Sequence, residues 1–133
     1  MADTNFDAVK VASGLGYGAS PGSPAVGGTV TQITSRTTGV TLSKPCGSIT
    51  THNASLAAEG TADFVVTNTL VEATDVVVVS IKSGSNSGGT IVTVAAVAAG
   101  SFTIRVHNGN VAAGTAETGA IVINFAIIKS VAA

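Results

Sequence analysis

Tryptophan is absent from this 133-residue chain, tyrosine, cysteine and methionine occur once each, and aromatic residues amount to 4%. Charge is equally scarce: Asp, Glu, Lys and Arg together make up 10% of the residues, against ~25% in an ordinary globular protein. Each scarcity removes a class of function. Six Lys and Arg against seven Asp and Glu leave a formal charge of −1. The chain therefore lacks a basic field with which to neutralise nucleic-acid phosphates, or a strong field of either sign to steer a partner. Aromatic poverty leaves few platforms for stacking sugar rings. The single thiol, Cys46, makes no intrachain disulfide. The opening Met1–Phe6 shows no basic stretch followed by an apolar one, so no secretory signal is expected and a reducing cytoplasm is the expected site of synthesis. The longest uninterrupted apolar run, Val94–Ala99, falls far short of the ~20 residues of a membrane-spanning helix.

What is there is aliphatic and hydroxylic. Hydrophobic residues reach 45% and mean hydropathy is +0.53. Val, Ile and Ala carry the apolar content, Thr and Ser most of the polarity, and sixteen glycines are scattered through both. Disorder over the whole chain is excluded by this composition. So few charges also leave a solitary domain poorly covered, since ~25–35% charged surface is a common level for a soluble one. Much of the surface is therefore expected to be hidden in an assembly.

Residues 1–28 differ from the rest. Val11–Pro24 is dense in Gly, Ser and Pro and holds two of the three prolines, a composition with a high ordering entropy and too little apolar mass for a core of its own. It reads as an extended arm, with Phe6, Val9, Val11, Leu15 and Tyr17 as candidate anchors onto a partner or a neighbouring subunit. Residues 29–133 read as a β domain. Strand signals fall at Thr29–Thr34, Val40–Leu42, Ile49–His52, Ala62–Asn68, Asp75–Lys82, Thr90–Val97, Ser101–His107 and Ala120–Lys129, rich in β-branched residues and separated by Gly, Pro and Asn. No long stretch carries a helical period. The expected fold is all-β, an antiparallel sandwich or jelly-roll-like domain.

Two strands carry apolar residues on both faces: Val76–Val79 and Ile121–Ile128. A strand in a two-layer sandwich needs only one buried face, and a bare second face invites aggregation. A neighbouring subunit is the simplest cover, with Val77, Val79, Val122, Ala126 and Ile128 as candidate interface residues. By contrast Phe102, Ile104 and Val106 alternate with Thr103, Arg105 and His107, the pattern of a strand with one wet face.

Chemical motifs are weak throughout. Gly14–Ala19 fits a G-x-G-x-x-A pattern, but Ser20–Pro24 follows it where a dinucleotide site needs a helix N-terminus. Gly84–Gly89 is glycine-rich without the Lys of a phosphate-binding loop and reads as a hairpin loop. Cys46, His52 and His107 are too few and too scattered for a zinc site or a thiol catalyst. Glu59 with Asp63, and Glu72 with Asp75, are conceivable acid/base pairs that read as solvated loop charges, as does Glu117. No catalytic residue, cofactor site or metal site is expected, and no small-molecule substrate.

The stretch Gly27–Thr50, with G-G-T-V-T-Q at Gly27–Gln32, T-G-V-T-L at Thr38–Leu42 and K-P at Lys44–Pro45, resembles a family of small virion proteins of tailed bacteriophages. The likeness continues through Ala73–Val78 and Val97–Phe102 to Val122–Lys129, nearly the whole chain. The resemblance implies a head decoration or cement protein, an intertwined homotrimer on the outer surface of the capsid, bound to the major capsid protein and assembled in the host cytoplasm. It also admits a trimeric fibre or tail-spike attachment module. It carries no residue-level functional motif.

Overall fold

The computed structural model describes residues 26–130. All the regular structure in that range is β: β1 Gly28–Thr31, β2 Val40–Thr41, β3 Cys46–Thr50, β4 Thr61–Thr67, β5 Val76–Ser83, β6 Thr90–Ala98, β7 Ser101–Asn108 and β8 Val122–Ile128. Each expected strand is present, with ends moved by a few residues. The first stops at Thr31 because Gln32 turns inward, almost wholly buried, and its side-chain amide donates to the carbonyls of Arg36 and Thr38.

The strands form two four-stranded sheets, sheet I in the order β1-β3-β8-β5 and sheet II in the order β2-β4-β7-β6. Their inner faces share one core. Ile49, Ile123, Phe125 and Ile127 of sheet I meet Phe64, Val66, Phe102, Ile104 and Val106 of sheet II, and the Phe102 and Phe125 rings sit tilted with centroids 5.3 Å apart, a favourable aromatic geometry. Residues at every second position are buried along β4, β7 and β8, as the pleat requires.

The sheets are mixed, which corrects the purely antiparallel expectation. β1 pairs with β3, and β2 with β4, in parallel; the other ladders are antiparallel. The reason lies in the connections. The chain changes sheet at every step except β6 to β7, so two successive crossings return it to the same sheet in the same direction. Only β6 and β7 make a hairpin within one sheet, turning at Ala99 and Gly100, and Gly100 takes a φ of 83° that glycine adopts without strain. The Gly84–Gly89 segment, expected as a hairpin loop, instead carries the chain from β5 in sheet I to β6 in sheet II.

The core has two ends. At one lie the start of β3, the end of β8, the Val71 loop and Gly100; at the other lie the ends of β1, β3 and β5 and the loops after β3, β5 and β7. These are called here the terminal end and the loop end.

Candidate interaction surface

The outer faces of the two sheets differ in chemistry. On sheet II, Asp63 and Arg105 form a bidentate pair at 2.8 and 2.7 Å, and the guanidinium holds the Asp63 carboxyl below the usual carboxylate range. Thr61, Thr67, Thr93 and Thr103 share that face with the exposed side chains of Val65 and Ile91, and the expected wet face of β7 is present there, opposite buried Phe102, Ile104 and Val106. Sheet I has no such charge pair on its outer face. Its register sets Val76 opposite Ile128, and Val78 beside Ala126, which in turn faces Cys46. Val76, Val78 and Ile128 are 51%, 48% and 51% exposed. Further along, Ser48 donates to Asn124 Oδ1 at 2.6 Å, so the polar centre of this face is internally satisfied and the apolar stripe lies along the terminal end.

Period-two geometry explains the stripe. In a run of four valines alternate side chains go to opposite faces, so Val77 packs in the core and Val79 against it, leaving Val76 and Val78 outside. Of the residues expected at a subunit interface, Val122 and Ala126 lie half-buried on the outer face and Ile128 lies exposed at its margin. Val77 and Val79 point inward, so the face a partner can reach on β5 is shifted by one residue, to Val76 and Val78. The arm anchors Phe6, Val9, Val11, Leu15 and Tyr17 lie outside the described residues.

The chain comes in beside this stripe. A Cβ built on Gly27 would stand 3.4 Å from both the carbonyl oxygen and Sγ of Cys46, in the register row of Ala126 and Val78. A cleft of about 360 Å³ lined by Pro45, Thr69, Leu70, Glu72, Ile127 and Lys129 opens at the same end. Lys129 Nζ reaches Asp75 Oδ2 at 2.7 Å, and Asp75, nearly buried, is held below its ordinary range by that bond.

The loop end is built around a polar core that composition alone did not reveal. Glu117 is fully buried. Its carboxylate accepts from the Ser85 and Thr90 hydroxyls, each at 2.6 Å, and from the amides of Gly119 at 2.7 Å and Asn86 at 3.1 Å. Burial pushes its pKa up, but these donors together outweigh burial and leave it at about 2. The glycine-rich Gly84–Gly89 loop thus does cradle an anion, one supplied by the chain itself. Arg36, also buried, donates to Thr51 Oγ1 and to the carbonyls of Ala54, Glu117 and Gly119; burial lowers its pKa, partly offset by the Glu117 charge. The partners of these two groups lie in the loops after β3, β5 and β7 and at the start of β6, so with Arg36 itself in the loop after β1 the pair ties these loops into one unit.

Cys46 lies at the terminal end of β3, His52 beyond its other end, and His107 on sheet II beside Thr61, so the structure does not bring these three together. Among the described residues no cluster of three or more His, Cys, Asp or Glu side chains suits a metal ion, and no helix is long and apolar enough to cross a membrane. No family model, curated protein or solved structure matches this chain.

Proposed function

We propose that the protein is a structural subunit of a tailed-bacteriophage virion, a homotrimeric decoration or cement protein that binds the major capsid protein at capsomer junctions on the outer surface of the head. The observation that carries this reading is the apolar outer stripe of sheet I, Val76, Val78, Ala126 and Ile128, on a chain with little charge elsewhere to keep such a face in water. Exposed apolar patches of this kind mark association surfaces. The likeness of Gly27–Thr50 to the phage family supplies the setting.

Such a protein works by binding energy and geometry. Three linked footings on adjacent capsomers raise overall affinity by ~10²–10⁴ over one, so parting two capsomers requires breaking more than one contact. The tied loop end supplies a rigid body, and the stripe joins subunits.

Immunogold electron microscopy of virions carrying the protein tests the location. Label spread over the whole head in many copies is the expected result; label confined to the tail or fibres would replace the cement role with an attachment role, and no label on virions would remove the reading.

A further inference from the structure

We infer that the apolar margin of sheet I is the seat of residues 9–17 from the N-terminal segment of a second copy of this chain. The inference rests on the homo-oligomeric reading above and names the element that fills its interface.

The stripe and the segment match in spacing. Val76 with Val78, and Ala126 with Ile128, are two parallel-sided pairs of apolar side chains two residues apart, a spacing of ~6.6–6.8 Å along a strand. Val9 with Val11, and Leu15 with Tyr17, repeat that spacing twice. Charge agrees as well: Lys10 is the single charged residue within residues 9–17, and in an extended strand it points to the face opposite Val9, Val11, Leu15 and Tyr17.

Position and direction select the second copy over the first. Gly27 lies against Cys46 at the same margin as the stripe, and β1 runs parallel to β3 towards the loop end. The described chain therefore enters sheet I at this margin, through Gly27 and Gly28. In a closed ring of three copies each stripe is offered to the next copy's segment, without any chain doubling back. Reach suffices: the eight residues 18–25 between the seat and Val26 span up to ~26 Å at ~3.3 Å each, more than a four-stranded sheet about 15 Å across. Seating repeated around the ring links every copy to both neighbours, which multiplies affinity.

Cys46, the chain's single cysteine, shares the register row of Ala126 and Val78 and so reports directly on the seat. Full-length Leu15→Cys and Tyr17→Cys variants are oxidised separately and run denatured without reductant. The parent chain and a Val111→Cys variant, whose new thiol lies in a loop at the loop end, serve as controls. A disulfide from the introduced thiol to Cys46 of another chain, mapped by peptide mass in either variant and absent from the Val111→Cys control, is the expected result. Closure within a single chain, or no bond to Cys46 in either variant, would overturn the inference. Sedimentation of the same samples before oxidation separates the two levels. An oligomer lacking the cross-link removes this inference and leaves homo-oligomerisation standing, whereas a monomer removes both.

Discussion

Glu117 illustrates how one residue can hold a loop cluster together. A buried carboxylate is expensive unless its lone pairs are met by donors; here two hydroxyls and several backbone amides meet them. Its pKa, lowered from 4.5 to about 2, sets a pH window. The stabilisation is fully present above pH 4.5 and is lost as the pH falls through about 2. Urea unfolding followed from neutral to acid pH should show stability falling through that window in the parent chain, with a much flatter profile in Glu117→Gln. Glu117→Ala, which orphans the donors, should lose about 3 kcal/mol at neutral pH. Two glycines make this packing feasible. A Cβ on Gly84, whose φ is 88°, would stand 2.1 Å from the Ala120 carbonyl oxygen, and one on Gly119 would stand 1.8 Å from that of Gly84. Alanine at either position forces the loops apart, and an unfolding midpoint lowered by the equivalent of about 2–4 kcal/mol is expected. None of this was legible beforehand, because Glu117 looks like any loop carboxylate until Ser85, Asn86 and Thr90, some thirty residues earlier in the chain, are placed around it.

At the scale of the element, strands were legible and their neighbours were not. β-branched density and Gly or Pro punctuation located all eight strands, and Phe102, Ile104 and Val106 marked the inner face of β7 because polar residues alternate with them. Val76–Val79 carries no such phase. A run of four valines shows that both faces are apolar without showing which pair is inside, and a shift of one residue exchanges the faces. The parallel pairing of β1 with β3 was equally hidden, since it follows from crossings between sheets rather than from any pattern within a strand. The chain's own turns show the same limit: of the glycines ending Leu56–Gly60, Val97–Gly100 and Val111–Gly114, only Gly100 takes a positive φ, and in the first turn Glu59 takes it instead, at 61°. The assignment of faces is open to a paired test. Val77→Asp places a charge in the core and should cost several kcal/mol of folding stability. Val78→Asp, its neighbour on the outer stripe, should leave the fold intact by circular dichroism and act on association instead. Equal effects of the two would contradict the face assignment.

The whole molecule is polarised. One end is tied by Arg36 and Glu117 into a firm set of loops; the other gathers the incoming chain, the cleft beside Pro45 and the apolar stripe of sheet I. The composition makes sense in this arrangement, because none of the four side chains of the stripe proposed to meet other copies, Val76, Val78, Ala126 and Ile128, is charged. Homo-oligomerisation through that face is the central claim, and sedimentation equilibrium of the full-length chain at micromolar concentration tests it most directly, with Val78→Asp/Ile128→Asp alongside. The expected result is a mass three times the 12.9 kDa of one chain for the parent, and dissociation of the folded double variant. A parent chain that sediments as a folded 12.9 kDa monomer, or a double variant that remains a trimer, would contradict it.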